Sequence, residues 1–106
     1  MHRDLDKNIW KEELSENGAD NIVLDVRTPE EWDMGVQKNA LLIDFFDSQK
    51  LLSFIQDLDQ SKNYYVYCKA GGRSFQVCQM MQQMGFLKTN NLLGGMMEWD
   101  GEVVSK

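Results

Sequence analysis

Histidine, proline and cysteine are scarce in this chain, which holds one, one and two of them among 106 residues. With His2 as the lone histidine, a Cys-His protease and a zinc site of the usual kind both lose support. The two cysteines, Cys68 and Cys78, allow at most one bridge. A domain of this size in a reducing compartment does not need it, so both read as free thiols. Long apolar runs are absent as well. Nothing approaches the roughly 20 residues that span a bilayer, and the charged start from Met1 to Lys11 lacks the apolar stretch of a secretory signal. The expected location is cytoplasmic, with no membrane partner. Basic charge is in short supply: eleven Lys and Arg stand against seventeen Asp and Glu, a net charge of -6. That balance repels nucleic acid, and no local basic patch offsets it. No repeat, low-complexity tract or Pro- or Ser-rich linker suggests an internal boundary, so residues 1–106 read as one domain.

What is present is an alternation of strand and helix patterns. Ile9 to Glu16 is a helical candidate, with Asn17 and Gly18 as stop signals, and Ile22 to Val26 is a β-branched run that reads as a buried strand. Thr28, Pro29 and Glu31 predict a short helix with Thr28 as N-cap, Pro29 at the first position and Glu31 closing a capping box, ending near Gly35. Ala40 to Ile43 predicts a second strand. Leu51, Leu52, Phe54, Ile55 and Leu58 share one face of a helix beginning near Asp47 or Ser48. Tyr64 to Tyr67 predicts a third strand. After it, Phe75, Cys78, Met81 and Gln82 follow helical spacing up to Gly85, with Val77, Met80 and Met84 widening the apolar side. Asn91 to Leu93 reads as a last strand, followed by Gly94, Gly95 and a helical turn from Met96 to Trp99. Strands separated by helices imply a mainly parallel sheet covered on both faces, an α/β fold. His2 reads as a lone residue at a frayed terminus.

The segment from Tyr64 to Phe75 carries the chemistry: a strand, a six-residue turn from Cys68 to Arg73, then a helix. Open parallel sheets bind ligands beyond the carboxyl ends of their strands, which is where Cys68 falls. Gly71 and Gly72 allow backbone conformations closed to other residues, so that several N–H groups can point into one concavity. The positive end of the following helix and the Lys69 and Arg73 side chains add charge there. All of these favour a thiolate. An unperturbed cysteine is about 3% ionised at pH 7, and lowering its pKa by two units gives about 75%, at about 2.7 kcal/mol of differential stabilisation. Such a thiolate attacks electrophilic sulfur without a histidine base.

The run Cys68-Lys69-Ala70-Gly71-Gly72-Arg73 resembles the active-site loop of the rhodanese family. Leu24 to Trp32 resembles that family's early signature and Leu93 to Trp99 its closing one, so the likeness covers most of the chain from Ile22 to Trp99. It implies a rhodanese-like three-layer α/β/α fold with a mainly parallel central sheet. It implies transfer of sulfur from thiosulfate or another sulfane donor to Cys68, as a persulfide, and onward to a nucleophilic acceptor, with no cofactor and no metal. In that reading Cys68 and Arg73 are catalytic, Arg73 orienting the donor anion. Lys69, Ala70, Gly71, Gly72 and Arg73 bind the substrate, and Asp25 and Arg27 brace the loop from a neighbouring strand end. The chain departs from the family pattern after Gly35, at Val36, Gln37, Asn39 and Ala40, where a changed surface turn is expected.

Other readings stay open at this level. A Cys and Arg around an anion loop also serve phosphatases and arsenate reductases, although those loops form a longer ring than the four intervening residues found here. Rhodanese-like domains also act as interaction modules, which the presence of Cys68 argues against, or as relays that take sulfur from a donor protein and hand it to an acceptor protein. Cys78 is expected in the core, with a resolving thiol as its alternative. The seven methionines read as core filling rather than a soft-metal site.

Overall fold

The computed structural model describes residues 1–16, 18 and 20–106, so Asn17, expected as a helix stop, lies outside the described residues. The elements are β1 (His2–Leu5), α1 (Lys7–Glu16), β2 (Asn21–Asp25), α2 (Pro29–Trp32), β3 (Leu41–Leu42), α3 (Ser48–Gln56), β4 (Asn63–Tyr67), α4 (Gly72–Gln83) and β5 (Lys88–Leu92). A 3-10 turn, Gly95–Met97, follows. The strands form one five-stranded sheet in the order β1-β5-β4-β2-β3, and every neighbouring pair is parallel. The order reverses between β2 and β4, because β3 lies outside β2 while β4 and then β5 lie on its other side. The crevice beyond the ends of β2 and β4 is therefore the switch point of the sheet.

Alternation along β4 divides the core in two. Tyr64 and Val66 face α3 and α4, where Leu24, Leu51, Ile55, Val77, Cys78, Met81 and Phe86 complete one apolar cluster. Tyr65 and Tyr67 face the other way, onto Trp10 of α1 with Leu5, Val23 and Leu92. The result is the three-layer α/β/α arrangement expected from the sequence, each layer assembled from the period-two pattern of the strands and the apolar stripe of a helix. Trp10 anchors the thinner layer: it meets the Tyr65 ring edge-on at 5.3 Å and donates from Nε1 to Gln37 Oε1 at 2.9 Å. Among the described residues no helix is long and apolar enough to cross a membrane.

Several boundaries match the sequence reading closely, and four expectations need correction. The N-terminus is not frayed: His2 to Leu5 pair with Thr89 to Leu92 as an edge strand, and His2 Nδ1 lies 3.0 Å from Thr89 Oγ1. Short and charged, β1 has no apolar run to reveal it; backbone pairing to β5 holds it. Nor is the stretch after Gly35 only a surface turn. Val36 and Gln37 are buried, Val36 bridges Val104, and the Gln37 N–H donates to the Tyr67 hydroxyl at 2.9 Å; Asn39, at φ 65°, makes the exposed bend. Leu52 points to solvent, since the inward face of α3 is Leu51 and Ile55. The last strand begins at Lys88 and ends at Leu92, leaving Leu93 exposed beyond it.

Replacing Trp10 with Ala is expected to cost about 3–5 kcal/mol, combining lost burial with a cavity and an orphaned Gln37 amide. Chemical denaturation of the two proteins measures it.

Candidate functional site: the Cys68 loop

Cys68 follows the last residue of β4 at the centre of the carboxyl edge and is 1% exposed. The chain then turns through Lys69, Ala70 and Gly71 into α4. Gly71 caps that helix at φ 107°, in the left-handed region that only glycine enters freely. Gly72 was also expected to need this freedom, but it has no such conformation and a Cβ there would meet open space. The second glycine that the geometry demands is Gly95. A Cβ on it would stand 2.6 Å from the Cys68 carbonyl oxygen and 2.5 Å from that of Lys69. This close approach lets Met96 and Met97 donate their N–H groups to those two carbonyls, at 3.0 and 2.9 Å. The closing Gly-Gly turn is thus the outer wall of the loop.

The donors nearest the Cys68 sulfur include the Gly71 N–H at 3.1 Å and the Ser74 hydroxyl at 3.2 Å. Burial pushes the thiol pKa up. Hydrogen bonding from the Ser74 hydroxyl and from the Ser74, Gly71 and Ala70 amides outweighs it, leaving the pKa below its ordinary value. The effective groups are donors at short range, one of which, the Ser74 hydroxyl, the sequence reading overlooked. Its signal was a serine in the first turn of the helix after the cysteine, where a short side chain can reach back to the loop. Cys78 shows the opposite case. Wholly buried on α4, its thiol is pushed up to about 12 by desolvation, and both cysteines are free.

Arg73 stands in the first turn of α4, but its guanidinium is engaged. It donates to both oxygens of Glu31, at 2.9 and 3.0 Å, and stacks 5.8 Å from the Phe46 ring centroid. Glu31 is held by more than this. The capping box of α2 forms as expected, with the Thr28 side chain accepting from the Glu31 N–H and Glu31 Oε1 accepting from the Thr28 N–H at 3.0 Å. Arg73 first, and Thr28 after it, hold the Glu31 carboxyl down to about 2 against the cost of burial. Lys69 is exposed at the rim.

Asp25 and Arg27 form a buried pair at the end of β2. Arg27 donates to Asp25 through Nε, at 3.1 Å to each oxygen, and through Nη2 at 2.8 Å, and Nη2 also reaches the Gly35 carbonyl at 2.7 Å. Trp32 Nε1 donates to Asp25 as well, at 3.2 Å. The guanidinium lies 5.6 Å from the centroid of Tyr67, the residue before Cys68. The pair therefore bears on the end of β4 and on the segment after α2, rather than on the loop amides themselves.

Cys68 thus sits buried at a switch point of a parallel sheet, in a six-residue loop whose amides, with the first helical hydroxyl, favour the charged form of its sulfur. The rhodanese-like domain model matches residues 4–102. The chain is 38% identical over 84 residues to the putative sulfurtransferase YtwF of Bacillus subtilis, covering 79% of this chain and 78% of that one. It is 31% identical over 94 residues to a sulfurtransferase of Allochromatium vinosum, covering 86% and 85%. Among solved structures, a rhodanese-like domain protein from Staphylococcus aureus superposes with a TM-score of 0.84 at 28% identity over 98% of both chains. The chain belongs to the rhodanese-like domain family, and that membership supports sulfurtransferase-type chemistry in general.

Asp25→Asn is expected to lower stability by about 3 kcal/mol, because it leaves the Arg27 charge buried without its partner; equilibrium unfolding reads the loss. A second expectation concerns acid. A depressed carboxyl contributes stability above its unfolded pKa of 4.5 and loses it as pH falls through about 2. Wild-type protein should lose stability through that window, and Glu31→Gln should lose less, as thermal melts across pH would show.

Proposed function

We propose that the chain is a sulfurtransferase that moves sulfane sulfur from thiosulfate or a similar donor to a nucleophilic acceptor through a Cys68 persulfide. The observation that carries this reading is the convergence of the Gly71 amide and the Ser74 hydroxyl on a buried sulfur whose pKa they lower. The Cys68 thiolate attacks the sulfane sulfur of the donor. The bond between that sulfur and the sulfonate sulfur breaks, sulfite leaves with the electron pair, and Cys68 carries the transferred atom as a persulfide anion. An acceptor nucleophile then attacks the terminal sulfur and returns the electron pair to Cys68. The loop from Lys69 to Arg73 faces the transferred atom, with Lys69 supplying charge at the mouth and Arg73 exchanging Glu31 for the donor anion. Asp25 and Arg27 hold the end of β4 from which the loop departs.

A second reading is favoured by the same ion pair. With Arg73 neutralised by Glu31 and the net charge at -6, a free dianion meets little attraction. Meanwhile Met34, Phe46, Leu93 and Met97 are all exposed on segments that follow β2, β3 and β5. A protein donor that presents its sulfur across such apolar side chains is the alternative source, and the chain would then be a relay.

Intact mass before and after thiosulfate tests both. Gain of one reducible sulfur, absent from Cys68→Ser, is expected. Arg73→Ala should reduce loading about tenfold, the loss of a charge-assisted contact, and Glu31→Gln should raise it. No gain from thiosulfate together with gain from a persulfidated donor protein would establish the relay. Hydrolysis of an aryl phosphate with no sulfur gain from either source would overturn the sulfurtransferase reading.

A further inference from the structure

The Ser74 hydroxyl has one proton and two acceptors in reach. Its oxygen lies 3.2 Å from Cys68 Sγ and 2.5 Å from Asn91 Oδ1 on β5. The orientation of the buried Asn91 amide is fixed from behind. Nδ2 donates to the Asp4 carboxylate at 3.2 Å and to the Gly71 carbonyl at 3.3 Å, and since both can only accept, Oδ1 must face Ser74 and compete for its proton. Asp4 belongs to β1, and its carboxylate is 40% exposed beside His2. A continuous hydrogen-bonded chain thus joins the reactive sulfur, through Ser74 and Asn91, to a carboxylate on the edge strand.

We propose that Asn91, backed by Asp4, is a positioning residue that claims the Ser74 hydroxyl proton while Cys68 is uncharged and yields it when Cys68 becomes a thiolate. In the thiol, Ser74 donates to Asn91 Oδ1, and its oxygen is free to accept the Cys68 S–H. On ionisation the thiol proton passes to solvent, and the Ser74 O–H turns from Asn91 to Sγ. The same turn serves whenever the electron pair returns to Sγ as a terminal sulfur departs. Asp4 sets the cost of the turn, because negative charge at Nδ2 polarises the amide and makes Oδ1 the stronger acceptor. Weakening that charge loosens Asn91's hold and favours the thiolate.

Other charges act on the same sulfur. Arg73 of α4 interacts with Cys68 and is itself paired to Glu31 of α2 with Asp25 nearby; Cys78 lies on the inner side of α4, where both Asp4 and Cys68 act on it; Lys69 is in the loop. Removing the Asp4 charge would favour the thiolate through space as well, so the test must isolate the route through Ser74.

The experiment is a double-mutant cycle on wild type, Asp4→Asn, Ser74→Ala and the double variant. It reads the pH profile of Cys68 alkylation by iodoacetamide in reduced protein, with the modified cysteine identified by peptide mass. Below the ionisation of Cys68, Asp4→Asn is expected to raise the rate at least about twofold, and by a clearly smaller factor, the through-space part alone, once Ser74 is Ala. An equal rise in both backgrounds would assign the effect to through-space charge and overturn the proposal. So would an unchanged or slower rate in Asp4→Asn. If thermal melts show that Asp4→Asn loosens β1, Asn91→Leu, which removes the acceptor at similar volume, is expected to give the same Ser74-dependent rise, and its absence would be equally decisive. The inference rests on Cys68 being the reacting thiol of the proposed function. Alkylation needs no sulfur donor, so a failure of sulfur loading and a failure of this proposal are separate results.

Discussion

A sulfur atom that bears negative charge while almost wholly buried must find its hydrogen-bond donors within the protein, and the arrangement around Cys68 answers that need. Water cannot solvate a side chain at 1% exposure, so every favourable contact has to be supplied by backbone and first-turn groups fixed before the charge arises. The positive φ at Gly71 turns its N–H inward. The Gly94-Gly95 turn locks the loop from outside, and α4 begins where Ser74 can reach back. Sheet order and helix placement serve to bring these few donors to the end of the central strand.

The pieces are tied together by groups with more than one role. Glu31 completes the capping box of α2 and also holds the Arg73 guanidinium, so the start of one helix is coupled to the start of another through a single carboxylate. Gln37 receives the indole N–H of Trp10 and gives its own amide N–H to Tyr67. It joins the α1 layer to β4 from a position that looks like a loop. Asp25 gathers Arg27 and Trp32 at the end of β2. Gln37 and Asp25 are buried and Glu31 is half-buried, and among the described residues no buried side-chain nitrogen or oxygen lacks a partner.

Strands β2 and β4, helices α3 and α4 and the Thr28 cap were legible in the sequence, because each rests on a local rule: a β-branched or aromatic run, an apolar stripe, a capping pair. The cysteine loop was legible from its glycines and its place between strand and helix. What sequence could not supply were contacts between distant segments. Strand β1 exists because β5 is there to pair with it. Asn91 sits in a polar-looking strand, and only the folded sheet shows that its amide is held between Asp4, Gly71 and Ser74. Arg73 was read as a charge directed at the anion loop, and its pairing with Glu31 was missed because that partner lies 42 positions away. Gly72 and Gly95 exchange roles for a related reason, since the crowding at Gly95 comes from a loop more than twenty residues earlier in the chain.

The two thiols are shifted in opposite directions although they share a helix and its approach. Cys68 is drawn toward ionisation by the donors around it, while Cys78, sealed in apolar surroundings, is pushed up to about 12. At neutral pH the chain therefore carries a built-in silent control. On the proposed reading, an electrophilic dye or spin label reacts at Cys68 in preference to Cys78, and the native protein is tagged there without removing the other cysteine.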